Sequence, residues 1–418
     1  MRRFSLTPWS NAAKRQSRVS RGSPRQAERS ARNRFVPRLE SLEDRTVPSY
    51  VFSTLDDPNA GTMPGQGTGA FGINAHGQIV GNYSDSNVEF HGFLLSAGQY
   101  TTIDDPNADP FGTQGAFGIN TRGQIVGMYT DNMNPLLIHG YLFNDGHYTT
   151  LDDPNATALP AEPQGTAAWG INERGQIVGY YYDSHATIHG FLLSGGQYTT
   201  LDAANAGTGF SQGTEALGIN ASGQIVGQYI DATYGSHGFL LSNGQYTTLD
   251  DPNSANFTVA AGINERGQIV GYYVDAVNAH GFLLSGGQYT TLDDPNAGTF
   301  GFTEASAINS SGKIVGFCAD SNGFQHGFLA TPDGGHAPAS GGHGSGGLGD
   351  IHTGETTTGG MVQRTIVSDG AQTAFGKPGQ DLGSRIELFF AARFTAGKHA
   401  NITGTDLSPN NDEFPLAD

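Results

Sequence analysis

Between residues 50 and 330 the apolar positions fall in short runs of β-favouring residues separated by turn residues, and they never recur at helical spacing. In the stretch 262–294, GINERGQIVGYYVDAVNAHGFLLSGGQYTTLDD, with its preceding residues, the runs are 259–264, 268–273, 280–285 and 288–293. They are built from Ile, Val, Tyr, Phe, Thr and Leu, which suit a pleated, half-buried surface. The links are turn-formers. Asn264-Glu265-Arg266-Gly267 has Asn first and Gly fourth, as in a type I turn closed by a glycine at positive φ, and Ser285-Gly286-Gly287 is expected to do the same job.

This pattern occurs six times. The isoleucine of its GIN (once AIN) motif is Ile73, Ile119, Ile171, Ile219, Ile263 and Ile308, at steps of 46, 52, 48, 44 and 45 residues. A His-Gly follows each at His91, His139, His189, His237, His280 and His326. Four antiparallel strands in about 45 residues match one propeller blade. Gly72, Gly118, Gly170, Gly218 and Gly262 in the first run fit an innermost strand, where side chains would crowd the axis. The array starts with an extra strand at 51–55 and ends without a fourth strand after 327–329, so pairing of these two pieces would leave no open edge. The expected fold is therefore all-β: a closed six-bladed β-propeller of four-stranded antiparallel blades, rather than an open solenoid with capping repeats.

Charge divides the chain. Residues 1–49 carry 12 Lys+Arg against four acids, whereas residues 50–330 carry four (Arg122, Arg174, Arg266, Lys313) against 25. Residues 1–49 read as a basic, disordered segment, 50–330 as the repeat array, 331–360 as a Gly/Ser/His-rich linker and 361–418 as a tail with one apolar run at 386–394. No apolar stretch reaches the roughly 20 residues of a membrane-spanning helix. The acidic array is unsuited to nucleic acid. The one cysteine, Cys318, excludes intrachain disulfides and reads as a core filler.

Two stretches carry a resemblance. Residues 38–49, RLESLEDRTVPS, resemble the LExLEDRxxPS segment near the N-termini of many exported or cell-surface proteins of planctomycete bacteria. The GIN-x-x-GQIVG…HGF pattern resembles the HAF repeat family of probable extracellular bacterial repeat proteins, with His-Gly-Phe (once His139-Gly140-Tyr141) in place of His-Ala-Phe. These resemblances imply export, an extracellular or cell-surface location and a repeated β fold; they supply no catalytic residues.

The candidate chemistry is sparse. The recurring Asp-Asp-Pro-Asn loops supply carboxylate pairs at Asp56/Asp57, Asp104/Asp105, Asp152/Asp153, Asp250/Asp251 and Asp293/Asp294, degraded to Asp202-Ala203 in one copy. Hard oxygen ligands suit calcium, while Asp, Asn and Pro equally suit a plain turn. No other cofactor is expected. The six histidines read as hydrogen-bonding locks at strand ends, since one copy per blade would not converge on an ion. Motifs for nucleophilic hydrolysis, zinc proteolysis or nucleotide binding are lacking, and no copy is marked out by an added carboxylate pair. Variable loops gather on the face shared by the second-to-third turns and the inter-blade links, opposite the near-identical NERGQ and SGGQY turns. Phe90, Phe111, Trp169, Phe210, Tyr234 and Phe300 are the aromatic contacts expected there for an extracellular glycan or protein. The expected function is a non-enzymatic exported binding or structural scaffold. A carbohydrate-active enzyme with a site at the channel mouth and a calcium-stabilised surface protein are the alternatives, and the oligomeric state is left open.

Overall fold

The chain enters its ordered array on β1 (Tyr50–Leu55), followed by four-stranded antiparallel units. The first is β2 (Gly67–Ile73), β3 (Ile79–Ser84), β4 (Phe90–Ser96) and β5 (Gln99–Ile103). The second is β6 (Gly115–Ile119), β7 (Ile125–Thr130), β8 (Leu137–Asn144) and β9 (His147–Leu151). The third is β10 (Gln164–Ile171), β11 (Ile177–Tyr182), β12 (Ile188–Ser194) and β13 (Gln197–Leu201). The fourth is β14 (Gly213–Ile219), β15 (Ile225–Ile230), β16 (Ser236–Ser242) and β17 (Gln245–Leu249). The fifth is β18 (Thr258–Ile263), β19 (Ile269–Val274), β20 (Ala279–Ser285) and β21 (Gln288–Leu292). The last run has only β22 (Thr303–Ile308), β23 (Ile314–Ala319) and β24 (Gln325–Pro332). Its fourth strand is β1, paired antiparallel from Tyr50↔Pro332 to Leu55↔Gly327, as the complementary ends of the array lead one to expect. This computed structural model describes residues 49–109, 114–131, 137–157, 164–298 and 301–333, and among them there is no helix. The expectations for 1–48 and for the linker and tail beyond 333 lie outside the described residues.

The turns show why these runs become strands. Asn264 accepts the Gly267 N–H on its carbonyl, its side-chain oxygen accepts the N–H groups of Arg266 and Gln268, and Gly267 sits at φ +72°. The second hairpin differs from expectation. Gly286 and Gly287 have φ of 58° and 80°, both positive, in a two-residue loop closed by Ser285↔Gln288. Positive φ at both central residues is the I′ geometry, whose twist matches that of the flanking strands.

Each first strand also carries a bulge, between Ala70 and Gly72 in the first unit and at the equivalent place in the other five. The extra residues are Phe71, Phe117, Trp169, Leu217, Ala261 and Ser306. In the first five units a glycine follows and lies close against the next unit: a Cβ on Gly118 would lie 2.7 Å from the Trp169 carbonyl oxygen. A side chain at Gly118 would force these two units apart, whereas the sixth unit carries Ala307 at the equivalent place.

The core lies between consecutive units. Val126 and Leu151 of the second unit pack with Ala168, Ile171, Ile177, Tyr181 and Phe191 of the third, and equivalent clusters recur at the other junctions. On the side of the NERGQ turns, each GIN asparagine donates its amide to the carbonyl of the next. Asn74 reaches Asn120 at 3.0 Å, Asn120 reaches Asn172 at 3.2 Å, and Asn172 reaches Asn220 at 3.0 Å. Asn220 reaches Asn264 at 3.2 Å and Asn264 reaches Asn309 at 3.1 Å, while Asn309 donates back to Asn74 at 3.1 Å across 235 residues of sequence.

Candidate binding face

The six histidines sit near the start of the third strand of each unit, opposite a second-strand tyrosine in five of them. Ring stacking follows from that register: Tyr83 on His91 at 4.9 Å, Tyr129 on His139 at 5.2 Å, Tyr181 on His189 at 5.2 Å, Tyr229 on His237 at 5.0 Å and Tyr273 on His280 at 5.4 Å between centroids. The tyrosine hydroxyls meet fourth-strand threonines, as Tyr229 meets Thr248 at 3.1 Å. Each imidazole Nδ1 lies 2.8–3.1 Å from the first aspartate of the following Asp-Asp loop: Asp104, Asp152, Asp202, Asp250, Asp293 and, for His326, Asp56. An ionised carboxylate only accepts, so Nδ1 carries a proton. The histidine lock expected from the sequence is thus present, and its partner is the acid of the loop.

A second acid approaches Nε2. Asp131, Asp183, Asp231 and Asp275 lie 3.5–3.6 Å from it, and Asp320 lies 4.0 Å from that of His326. This Asp-His-Asp clamp escaped the sequence reading, although its signal is there: every otherwise variable second-to-third turn begins with Asp. Backbone N–H groups of Asn278 and Val277 hold Asp275 below the usual carboxylate range, against the opposing effect of desolvation. The hydrogen bond to Asp152 pushes His139 up despite its partial burial, and the bond to Asp202 does the same for His189.

The second aspartate of each Asp-Asp pair has a different role. Asp57, Asp105, Asp153, Asp251 and Asp294 accept the backbone N–H of the Asn two residues on at 2.8–2.9 Å. In four of these loops the aspartate's own N–H is bonded to a threonine of the next unit's first strand, as Asp153 is to Thr166 at 2.9 Å. Burial raises the carboxyl pKa of Asp57 and of Asp153. The two acids of a pair therefore have separate protein partners, one a histidine and the other its own turn.

Phe210 and Tyr234 stand where expected, 51% and 56% exposed in neighbouring loops, with the Tyr234 hydroxyl donating to the Phe210 carbonyl at 3.4 Å. Two placements need correction. Phe90 is the first residue of β4 and half-buried, not a loop tip. Trp169 is the bulge residue of β10, the first strand of its unit, stacked on Phe117 at 4.2 Å with Phe71 at 6.4 Å, its Nε1 buried without a hydrogen-bond partner. The bulge re-aims it inward, which strand alternation in the sequence does not reveal. Phe111 and Phe300 lie outside the described residues.

Exposure gathers on the clamp side. Of the six exposed large hydrophobics among the described residues, Met63, Val88, Phe210, Tyr234 and Val277 lie in second-to-third turns or inter-unit loops, and only Val51 lies elsewhere. Arg122, Arg174, Arg266 and Lys313, the only Lys and Arg among the described residues, all lie in the first-to-second turns of the opposite side. An open cleft of about 560 Å³ is lined by Thr54, Asp56, Asn296, Asp320 and His326, whose strand partner is Cys318 in place of a stacking tyrosine. Repeat symmetry is also broken on the first strands of two units by Glu215 and Glu304, two acids that the sequence reading passed over.

The chain matches no protein-family model and no curated protein. Among solved structures it is similar to a lectin of Aleuria aurantia, at 16% identity and a TM-score of 0.41, over 64% of this chain and 96% of the lectin. AofleA from Arthrobotrys oligospora gives 10% identity and a TM-score of 0.44 over 67% and 86% of the two chains. A gluconolactonase from Xanthomonas campestris gives 12% identity and 0.41 over 68% and 90%.

Proposed function

We propose that residues 50–330 form a closed six-bladed β-propeller that acts, outside the cell, as a non-enzymatic binding scaffold for a glycan or a protein. Closure is supported by the β1–β24 pairing and by the Asn309-to-Asn74 hydrogen bond. Export is supported by the resemblance of residues 38–49 to a planctomycete sorting segment. The observation that carries the binding role is the concentration of exposed apolar side chains, Phe210 and Tyr234 foremost, on a face without Lys or Arg. Aromatic rings with a polar edge, set among carboxylates and imidazoles, suit sugar hydroxyls and C–H faces. The test is binding of the full chain to an array of glycans, with hits measured by calorimetry. Tyr234→Ala and Phe210→Ala should each weaken binding about tenfold while leaving thermal unfolding unchanged; unchanged affinity in both would sink this assignment of the face.

The competing reading, an enzyme at the channel mouth, draws on Glu215 and Glu304. Glu215 accepts a hydrogen bond from Gln228 at 2.8 Å, and Glu304 is 8% exposed. Turnover of a polysaccharide that disappears in Glu215→Gln alone would favour it over the scaffold.

A further inference from the structure

The first unit differs from its five sisters in one chemically pointed way. Asp85 and Glu89 face each other across the end of the β3–β4 ladder, joined by the Asp85 N–H to Glu89 carbonyl bond of 2.9 Å. Tyr83↔His91 is the pair two residues further in, so side-chain alternation puts Asp85, Glu89 and His91 on one face. One ligating atom from each of the three lies within 4.8 Å of the other two. The residue two before the histidine is Leu137, Thr187, Gly235, Asn278 and Phe324 in the other units, so a second carboxylate is unique to the first.

We propose that Asp85, Glu89 and His91 form a single binding site for a divalent transition-metal ion of the zinc class. Asp104 holds the His91 Nδ1 at 2.8 Å and fixes the tautomer, which leaves the Nε2 lone pair as a ligand beside the two carboxylates. A carboxylate on the far nitrogen is the arrangement that orients metal-bound histidines and raises their basicity. The Asp85 carboxylate is held by its own turn, Oδ1 accepting the Asn87 and Glu89 N–H groups at 2.8 and 2.9 Å and Oδ2 the Asn87 amide at 3.1 Å, which leaves an Oδ2 lone pair for a ligand, and no Lys or Arg among the described residues lies on this side to offset the two carboxylates. A divalent cation does offset them. The imidazole nitrogen selects zinc or a neighbouring transition ion over calcium, whose ligands are oxygens. Ligands around zinc stand about 3.3 Å apart in a tetrahedron, so the three atoms, now within 4.8 Å of one another, would draw together on binding. The other five clamps, each with one acid fewer, are internal controls.

The test is calorimetric titration of chelator-treated full-length protein with zinc chloride, side by side with Glu89→Gln. Glu89→Gln keeps the side-chain volume and removes the like-charge pair, so it should unfold at no lower temperature than the parent in chelator. The expected result is that it takes up one equivalent of zinc fewer than the parent, the remaining uptake belonging to other histidines. Equal zinc uptake by the two proteins would overturn the proposal. So would displacement of that one equivalent by equimolar calcium chloride, which would reassign the cluster to a hard cation. Cobalt chloride provides a second readout: visible bands typical of a nitrogen–oxygen site should appear in the parent and weaken in Glu89→Gln, and identical spectra would count against the site.

Discussion

A single side chain decides how each unit is fixed to the next, and that residue is the GIN asparagine. Asn172 caps its own turn through the N–H groups of Arg174 and Gln176, both at 3.0 Å, and with its amide reaches Gln176 Oε1 at 2.9 Å and the Asn220 carbonyl at 3.0 Å. It is 4% exposed and its bond to the Asn220 carbonyl is buried, so that bond is lost without compensation from water when the side chain is cut back. Asn172→Ala should cost about 2–4 kcal/mol in denaturant unfolding, from the turn and the inter-unit bond together. Asn172→Asp separates the two. It retains the oxygen that caps the turn but sets a carboxylate oxygen against the Asn220 carbonyl, so it should be at least as damaging as alanine. A mild effect from aspartate would mean that the turn alone matters. The sequence showed these asparagines as turn residues, and so they are. Their second role depends on a neighbour 48 residues away and has no local signature.

At the scale of elements, the strands, their order and the pairing of the two ends were legible because period-two patterning and turn residues act locally. The clamps were only half legible. His and Asp recur visibly, but pairing His189 with both Asp202 and Asp183 requires knowing that an inter-unit loop and a second-to-third turn share one side. The bulges were not legible, which is why Trp169 was misplaced. These clamps make stability depend on pH in a definite direction. His139 and His189 have pKa values raised from the ordinary 6.5, so their stabilisation is complete below about pH 6.5 and is lost as pH rises through the folded-state values. The buried Asp153, raised from 3.8, loses its contribution as pH rises from about 4 through its folded-state value, on the acid side of the histidine window. Asp275, lowered from 3.8, contributes above about pH 4 and loses its contribution as pH falls through its depressed value. The unfolding temperature should therefore peak at mildly acidic pH and fall by several degrees toward pH 8. His139→Gln together with His189→Gln should flatten the alkaline limb; a limb that stays as steep would place the titration elsewhere.

For the whole molecule, the decisive contact joins the two ends of the array. β1 supplies the fourth strand of the last unit through six residue pairs, sets Phe52 against Phe328 with ring centroids 5.3 Å apart, and brings Asp56 to His326. Without it β24 would expose a strand edge, and the buried side of the last unit, including Phe328 and Ala330, would lose its cover from Tyr50 and Phe52. In an open stack, where each repeat leans only on its neighbours, removing one terminal strand costs one interface and leaves the remaining units intact. In a closed ring the same deletion breaks the circle, so the junction between the first and last units weakens along with the last unit itself. Deleting residues 50–57 from the otherwise complete chain should therefore lower the unfolding temperature by more than about 10 °C and promote self-association through the bared edge. Adding a synthetic peptide of residues 49–58 should restore most of that loss. A deletion that unfolds at the parent temperature, or one that melts only the last unit while the rest keeps its original transition, would show that the units stand as an open row and would remove the basis for the propeller.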